Sequence, residues 1–503
     1  MSLKEKYKQK FSEYLEKTRE TGFVEKVMHP VVYVSGLPNV KSWELVYFES
    51  GHMGAVTALF DEHAEVMVLS NEPVPIGTQA TRSGELLEIP VGEGLLGNVV
   101  NALGESLYEN KVVSGLEEKR RIDITPWGID KRERVSRPLG TGVTLVDFLI
   151  PLGKGQRELV IGDRNTGKTI FTSQVLLSQA KEGTICIYAA IGKKKQDIKF
   201  VENFIDANGI RDNTIIVGSS SSDPLGYIYF TPYAAMTIAE YFRDKGKDVL
   251  LILDDLTTHA KYYREISLIA KKFPGRDSYP GDIFHTHSRL LERAGNFKVA
   301  DNKVASITCL PIAETVEGDI TGYIQTNLMS ITDGHIFFDE SSYKAGKRPA
   351  INYFLSVTRV GRQTQTPVRW GVNRELSSFF YLHRKTERFI HFGAELNEGI
   401  KATLEMGKRI DRFFDQAINE VYSLDIQLVM FTLIWAQLLK DMTQGKISYY
   451  KTTAQKLYLE DPVFKEKIRK VVDGCNDFNS LLGKISAQHE EILNYLEKAH
   501  EKR

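Results

Sequence analysis

The residues best suited to chemistry lie in one short segment, Gly162-Asp163-Arg164-Asn165-Thr166-Gly167-Lys168-Thr169. It has the pattern GxxxxGK[ST], in which glycines let the backbone wrap phosphate groups while backbone N–H groups bind the anion. Lys168 is expected to reach the β- and γ-phosphates of a nucleotide, and the Thr169 hydroxyl to ligate Mg²⁺. An apolar strand candidate precedes the segment and a helix candidate follows it, which disfavours the alternative of a plain glycine-rich turn.

A second, acidic part of a nucleotide site is expected at the end of a neighbouring apolar strand. The run Val249-Leu250-Leu251-Ile252-Leu253 ends at Asp254-Asp255. The sequence predicts that Asp254 holds Mg²⁺ through water and that Asp255 orients it or caps the next helix. Taken alone, the same pattern also describes a strand that ends in a helix N-cap.

Hydrolysis of a bound nucleotide also needs a group that orients or activates the attacking water. In hexameric ATPases with this kind of loop, a glutamate usually lies just after the next strand. Here the strand ends Ala189-Ala190-Ile191-Gly192 and continues into Lys193-Lys194-Lys195. Protonated lysines cannot act as a base, so the sequence predicts a site that binds nucleotide without turning it over. Lys194 and Lys195 are interpreted as an exposed basic turn.

Arg359 lies in the segment Ser356-Val357-Thr358-Arg359-Val360-Gly361-Arg362, directly after a strand-like run. An arginine in such a place could complete the active site of a neighbouring subunit by stabilising charge on the transferring phosphoryl group. The local sequence by itself favours a surface salt bridge. Both interpretations stay open at this point.

The composition excludes several classes of protein. The 503 residues include 65 lysines and arginines and 65 acidic residues, so the formal net charge is zero. A protein that binds nucleic-acid duplexes usually has an excess of base, and an acidic tail protein shows the reverse. With 42% hydrophobic and 26% charged residues, the chain is expected to be globular, with about two to four domains.

The cysteines and the hydropathy of the sequence indicate in which kind of cellular compartment the chain is expected. The three cysteines lie far apart in the sequence, which indicates a reducing compartment and no disulfide framework. The first residues contain no apolar signal-peptide core, and the longest apolar run, between Asp425 and Lys440, is too short to span a bilayer. A membrane role is therefore expected only through partners.

Hydrophobic patterning predicts an α/β multidomain protein. Residues 1–22 are predicted to form a charged helix, which either docks on a partner through a narrow apolar face or is solvated. Residues 23–90 contain closely spaced β-branched runs and are predicted to form a β-barrel. Residues 91–372 alternate continuous apolar strands with helices, which is typical of an α/β domain with a buried parallel sheet.

Residues 373–503 contain few prolines and long helical patterns, so a C-terminal helical bundle is expected. The run between Asp425 and Lys440 is predicted to be its most buried helix. Helix breaks are predicted at its glycines, which are Gly407, Gly445, Gly474 and Gly483.

Several blocks of the sequence resemble the alpha-subunit family of the F-type ATP synthases. The phosphate loop resembles GDRQTGKT, with Asn165 in place of glutamine. The blocks cover nearly the whole chain in the family's order. The other matches are 253–256 with YDDL, 273–282 with PPGREAYPGD, 287–294 with HSRLLERA, 330–337 with SITDGQIF and 89–97 with VPVGEELLG.

The resemblance implies a RecA-like P-loop NTPase domain that binds Mg-ATP or Mg-ADP for a structural or regulatory purpose. The catalytic beta paralogue has a GxxGVGKT-type loop and a glutamate after the following strand, and this chain has neither. The alpha family has glutamine at the position of Lys193, which is therefore a further, non-acidic departure.

The resemblance also implies roles for particular residues. The family's arginine finger lies in the motif SVSRVG, so Arg359 is expected to act in trans on a neighbouring active site, with Ser356 as a further catalytic candidate. The family's adenine-contacting RPA corresponds to a segment that contains Arg348 and Pro349. One of the two family glutamines that contact adenine can be matched to Gln416, and the second is lost.

The family assembles as a ring of three alpha and three beta subunits around a gamma shaft, mounted on a membrane ion channel. By resemblance, this chain is expected to fill alternate ring positions, to contact a peripheral-stalk or delta subunit, and to couple ATP synthesis or hydrolysis to H⁺ or other ion transport. No nucleic-acid partner is expected. The implied location is the cytoplasmic face of the plasma membrane, or an inner organellar membrane, with peripheral attachment through the complex.

Other functions remain open on the sequence. An autonomous catalytic ATPase would favour a carboxylate at position 193, where this chain has Lys193. A hexameric RNA helicase would need a basic, aromatic nucleic-acid barrel, whereas residues 23–90 carry many acids. The remaining alternatives are an alpha-like subunit of a specialised F-type-like ATPase with another mechanical role, and a scaffold with a vestigial nucleotide site.

Overall fold

The structure, a computed structural model, describes residues 3–108, 111–391, 398–439 and 444–501. The chain divides into two units, and each has its own set of buried apolar side chains. The first unit comprises Met1–Glu133, Gly183–Glu314 and Asp319–Thr332. The second comprises Arg134–Glu182, Thr315–Gly318 and Asp333–Arg503.

Strands and helices are numbered in chain order. The strands are β1 Gly22–Met28, β2 Val31–Ser35, β3 Glu44–Phe48, β4 Met53–Leu59, β5 His63–Val68, β6 Gln79–Leu86, β7 Glu88–Val91, β8 Val99–Val100, β9 Glu118–Arg121, β10 Pro138–Leu139, β11 Leu152–Gly153, β12 Glu158–Gly162, β13 Ile185–Lys193, β14 Thr214–Ser220, β15 Val249–Asp254, β16 Gly295–Lys298, β17 Val304–Glu314, β18 Gly334–Phe338 and β19 Val357–Thr358. The helices are α1 Leu3–Thr18, α2 Thr144–Leu149, α3 Lys168–Lys181, α4 Lys195–Ala207, α5 Leu225–Asp244, α6 Leu256–Ile269, α7 Ile283–Leu291, α8 Tyr323–Ile331, α9 Glu340–Lys344, α10 Pro367–His391, α11 Glu398–Phe414, α12 Leu424–Trp435, α13 Gln444–Glu460, α14 Pro462–Asp473 and α15 Phe478–Glu501.

Six strands of the first unit close into a barrel in the order β1-β2-β5-β4-β3-β6. Its interior is filled by small β-branched side chains such as Val32, Val46 and Val66, which suit the narrow lumen of a six-stranded barrel. Closure pairs each strand on both sides, so the barrel leaves no open edge. The predicted β-barrel is confirmed.

Helix α1 packs against the barrel through its apolar face. Tyr7, Phe11 and Tyr14 are buried, and the Tyr14 ring stacks on Tyr47 of β3 with 5.3 Å between ring centroids. Gly51 has φ 80°, and a Cβ there would lie 2.6 Å from a backbone oxygen of α1, so glycine permits this close approach. The two expectations for this helix, a solvated helix or one docked on a partner through its apolar face, are wrong because the chain's own barrel covers that face.

The α/β part of the first unit has a parallel sheet in the order β17-β15-β13-β14-β8, with β16 antiparallel to β17. Strands β13 and β15 are neighbours, and Ala190 pairs with Asp254. Their apolar runs are buried along the whole length, as is typical of strands covered on both faces. The predicted α/β sheet is confirmed, and the register brings the carboxyl ends of β13 and β15 to the same edge.

In the second unit, β12 lies parallel to β18, and β19 pairs antiparallel with the other side of β18. The C-terminal part is helical, as predicted. In α12 every residue from Ile426 to Ile434 is buried, which confirms the expectation for this run; its predicted end, Lys440, lies outside the described residues. No helix in the described part of the chain is both long and apolar enough to cross a membrane.

The glycines of the C-terminal region play different structural roles. Gly474 ends α14, as predicted. Gly407 instead lies inside α11, where a Cβ would come within 2.1 Å of the His383 ring of α10, so it allows the two helices to pack closely. Gly445 is the second residue of α13, so a helix break next to it agrees with the structure, whereas Gly483 lies inside α15. The prediction of breaks was wrong at Gly407 and Gly483, and at Gly407 the reason is the close packing of α10 against α11.

The substitution Tyr14→Ala removes a buried ring from the contact between α1 and the barrel. We expect the free energy of unfolding to fall by about 2–4 kcal/mol, because burial of the ring and its stacking on Tyr47 are lost. Chemical denaturation followed by circular dichroism measures this change. Glu16→Ala, on the exposed face of the helix, is the control, with an expected change below about 0.5 kcal/mol. A Tyr14→Ala variant as stable as the wild type would contradict the packing of α1.

Candidate functional site

The phosphate loop, Gly162–Thr169, leads from the buried strand β12 directly into α3. Gly167 has φ 101° and Asn165 has φ 60°. This left-handed region is open to glycine, and asparagine enters it more readily than most other residues do. Asn165 therefore suits its turn, although the resembling family has glutamine there. Because α3 begins at Lys168, the free N–H groups of its first turn are available to an anion in the loop.

The Lys168 ammonium is held inside the loop. Its Nζ donates to the Gly162 carbonyl oxygen at 2.8 Å and also to the carbonyl oxygen of Asp163, and the side chain is buried. A phosphate group that enters the loop would offer this ammonium charged oxygen partners, which bind it more strongly than neutral carbonyls do. The position of Lys168 is therefore consistent with its predicted role.

The Asp163 carboxylate fastens the loop to a distant segment of the same unit. It accepts hydrogen bonds from the Thr315 hydroxyl and from the Gly318 N–H, the latter at 2.8 Å. The Thr315 N–H also donates to the Gly162 carbonyl oxygen at 3.1 Å. Thr166 closes the loop internally, since its hydroxyl donates to the Asp163 carbonyl oxygen at 2.7 Å. Sequence reasoning missed Thr315 and Gly318, which no local motif marks.

The predicted magnesium ligands differ in how well they fit the ion. Thr169 lies in the first turn of α3 and is partly buried, which suits a hydroxyl ligand. Asp254, in the first unit, already uses both carboxylate oxygens: the Lys193 Nζ lies 2.6 Å from Oδ1, and the Tyr188 hydroxyl donates to Oδ2. Each carboxylate oxygen can accept more than one hydrogen bond, so these two contacts do not by themselves bar a water bound to Mg²⁺. The magnesium role of Asp254 stays a prediction.

Lys193, a partly exposed side chain, forms an ion pair with two buried carboxylates at the carboxyl edge of the first unit's sheet. Its Nζ lies 2.6 Å from Asp254 and 3.0 Å from Asp255. Burial lowers the pKa of Lys193, but the two carboxylate charges outweigh burial and raise it above its ordinary value. Asp255 also caps α6 by accepting the N–H of Thr258 at 2.6 Å, which confirms the predicted cap. Lys194 and Lys195 are exposed, as interpreted from the sequence, but Lys195 is the first residue of α4 and not part of a turn.

The structure brings Arg348 and Gln416 together, as the resemblance implies. The Gln416 N–H donates to the Arg348 carbonyl oxygen at 2.9 Å. The Arg348 guanidinium stacks on Tyr343, 3.8 Å from the ring centroid. Arg348 and the half-buried Pro349 also line a cavity of about 650 Å³, a size common for small-ligand pockets.

The side-chain amide of Gln416 makes hydrogen bonds with backbone groups of the chain itself. It donates to the carbonyl oxygens of Gly142 and Glu420 at 3.0 and 3.1 Å, and it accepts the Thr144 N–H at 2.7 Å. An adenine contact by Gln416 would exchange one of these bonds and stays a prediction. The adjoining segment is fastened to the phosphate-loop helix, because Gln174 of α3 donates to the Ala417 carbonyl oxygen at 2.9 Å.

Lys451 supports this segment from α13, and sequence reasoning missed it. Its buried Nζ donates to the carbonyl oxygens of Phe413 and Asp415 at 2.5 and 3.4 Å. Burial lowers the pKa of Lys451 to about 8. A single lysine in a long helical pattern carries no signal that distinguishes it from its solvated neighbours.

Arg359 follows β19, the last strand on its side of the second unit's sheet, and is exposed. Its N–H donates to the Asp333 carbonyl oxygen at 3.1 Å. The nearby side chains Phe354, Leu355 and Val357 are exposed large hydrophobic groups, a composition typical of surfaces that meet another subunit.

The Ser356 hydroxyl makes hydrogen bonds with backbone groups. It donates to the Asn352 carbonyl oxygen at 2.8 Å and accepts the Phe337 N–H at 2.9 Å. Ser356 therefore helps to shape the segment before Arg359. Its catalytic role stays a prediction.

The fold and the phosphate loop place the chain among the P-loop nucleotide-binding proteins, with an N-terminal barrel and a C-terminal helical region. Residues 142–358 match the nucleotide-binding domain of the ATP synthase alpha/beta family. Residues 365–488 match the C-terminal domain of the ATP synthase alpha/beta chain. The chain belongs to the ATP synthase alpha/beta family.

Curated relatives from bacteria specify the branch of this family. A protein from Clostridium acetobutylicum is 38% identical over 438 residues, which cover 86% of each chain. One from Clostridium botulinum is 38% identical over 458 residues, covering 91% of this chain and 90% of the relative. One from Macrococcus caseolyticus is 39% identical over 434 residues, with 86% of each chain covered. All three are named ATP synthase subunit alpha, so the resemblance inferred from the motifs is confirmed.

The substitution Lys193→Ala leaves Asp254 and Asp255 buried without their shared cation. We expect the free energy of unfolding to fall by about 3–5 kcal/mol, because an uncompensated buried charge is strongly destabilising. Chemical denaturation of the isolated chain measures the loss. Lys194→Ala removes an exposed neighbouring lysine and should change stability by less than about 0.5 kcal/mol. Equal stability of the two variants would show that the ion pair contributes nothing to folding.

Proposed function

We propose that this chain is a nucleotide-binding, non-catalytic alpha subunit in the head of a rotary F-type ATP synthase or ATPase. The observation that carries the non-catalytic part is the ion pair of Lys193 with Asp254 and Asp255. A protonated amine stands where a hydrolytic relative needs a carboxylate, and it cannot accept a proton from water.

The nucleotide of this chain is ATP or ADP, bound for a structural or regulatory purpose. Lys168 and the loop N–H groups bind the phosphates, and Arg348 and Pro349 flank the base, with Gln416 nearby. Thr169 would hold Mg²⁺, which supplies positive charge to the β- and γ-phosphates when it is bound. The supporting geometry is the buried Lys168 ammonium at the centre of the loop.

Arg359 serves the active site of a neighbouring beta subunit. An arginine supplied in trans stabilises the charge that develops on the transferring phosphoryl group. Its exposure at the end of the second unit's sheet, beside exposed apolar side chains, supports this role.

The assembly is a ring of three alpha and three beta subunits around a gamma shaft, coupled to a membrane ion channel. Through that complex the chain is attached peripherally to the cytoplasmic face of the plasma membrane or to an inner organellar membrane. A contact with a peripheral-stalk or delta subunit through α1 would use its charged outer face, because its apolar face is buried on the barrel.

The isolated chain is expected to bind ATP without hydrolysing it. Equilibrium binding of a fluorescent ATP analogue and release of inorganic phosphate test the two parts separately. Lys168→Ala should weaken binding at least about tenfold, because it removes a charged phosphate partner. Steady phosphate release by the purified chain would refute the non-catalytic assignment, and undiminished binding by the Lys168 variant would refute the site.

The substitution Arg359→Ala should leave the complex with only a small residual turnover, while the isolated chain keeps its own nucleotide affinity. Removal of an arginine finger typically lowers the rate by about 10³–10⁵-fold. ATPase activity of the complex purified with its partner subunits is the measurement, with Arg362→Ala as a nearby control. Near-normal activity of the Arg359 variant in an intact complex would reject the assignment.

A further inference from the structure

Glu158, in β12 of the second unit, is a fully buried acid that the proposed function does not use. Its Oε2 accepts a hydrogen bond from the side-chain amide of Gln156 at 2.6 Å. Its Oε1 is buried without a hydrogen-bond partner among the described residues. Burial raises the pKa of Glu158 well above its ordinary value. An unsatisfied buried oxygen is costly, and that cost suggests that the residue has a purpose beyond stability.

The sheet register directs Glu158 towards the strand that precedes Arg359. Glu158 pairs with Gly334 of β18, and Gly334 pairs on its other side with Thr358 of β19. A Cβ on Gly334 would lie 2.6 Å from the Glu158 Oε2. Glycine at this position therefore leaves the room that the carboxyl group occupies against β18.

Gln156 links the carboxyl group to the segment that carries Arg359. The same amide nitrogen that donates to Glu158 lies 3.3 Å from the Thr358 hydroxyl. That hydroxyl donates to the Pro151 carbonyl oxygen at 3.0 Å and accepts the N–H of Gly361 at 3.2 Å. These bonds fix the chain on both sides of Arg359.

Two charged residues near this hydrogen-bond network, Asp333 and Arg359, belong to the second unit, as Glu158 does. Burial is the largest influence on the pKa of Glu158, and Asp333 raises this pKa further while Arg359 lowers it. Asp333 is engaged by Arg157, whose Nη2 lies 2.7 Å from its Oδ1.

We propose that Glu158 is a positioning residue for Arg359, acting through Gln156 and Thr358 to fix the direction in which the arginine leaves the sheet. This inference rests on the proposed role of Arg359 in the neighbouring active site.

A double-mutant cycle in the purified complex tests the proposal. We expect Glu158→Ala to lower kcat for ATP hydrolysis at least about tenfold with KM nearly unchanged, because small misplacements of a catalytic group are costly. Glu158→Gln keeps a side-chain oxygen that can accept the Gln156 hydrogen bond and should retain activity within about threefold. Combined with Arg359→Ala, Glu158→Ala should cause no further loss, because the two residues act as a unit. Glu340→Ala, an exposed acid in the same unit, is the control.

Thr358→Val provides a second route should Glu158→Ala prevent assembly, since it keeps the side-chain shape but removes the hydroxyl. It is expected to lower kcat at least about tenfold as well. Full activity of Thr358→Val, or a loss from Glu158→Ala that adds to that of Arg359→Ala, would overturn the inference while leaving the role of Arg359 intact. An active Arg359→Ala complex would instead reject the proposed function, and the inference would fail with it.

Discussion

Two adjacent aspartates at the end of a buried strand impose the central electrostatic constraint on this protein. Asp254 and Asp255 are both buried, and carboxylates in such a place need a cation or hydrogen-bond donors. Asp255 is satisfied by the N-terminus of α6 and by Lys193, and Asp254 by Lys193 and Tyr188. The cation is thus part of the chain itself. A carboxylate at position 193 would add a third negative charge to this buried edge, whereas the lysine neutralises it.

Three glycines lie where a side chain would collide with another segment of the chain. A Cβ on Gly407 would collide with the His383 ring, and one on Gly334 would collide with the Glu158 carboxyl group. Gly51 similarly admits the backbone of α1. Each glycine creates space for a contact between segments that are far apart in the sequence, and Gly51 also supplies the positive φ of the turn between β3 and β4.

The second unit fastens its phosphate loop and its helical region to one another by hydrogen bonds to backbone groups. Gln174 of the loop's helix holds Ala417, the Gln416 amide holds Gly142, and Lys451 holds Phe413. Backbone carbonyl groups in irregular segments need donors when they are buried, and long polar side chains supply them here. Helix α3, which follows the phosphate loop, is therefore joined by hydrogen bonds to the segment that leads into the C-terminal helices of the same unit.

The sequence by itself determined the local chemistry: the phosphate loop, the Asp255 cap, the barrel, the buried strands of the sheet and the family. These follow from residue types at short spacing or from continuous apolar runs, which need no knowledge of distant contacts. Tertiary structure alone decided the ion pair of Lys193 and the burial of α1 on the barrel. It also decided the hydrogen bonds that Gln416 and Lys451 donate to backbone carbonyl oxygens. Each depends on which distant segments meet, and spacing along the chain carries no record of that. The misplaced helix breaks have the same origin, since a glycine that ends a helix and one that admits a neighbouring ring look alike until the neighbour is present.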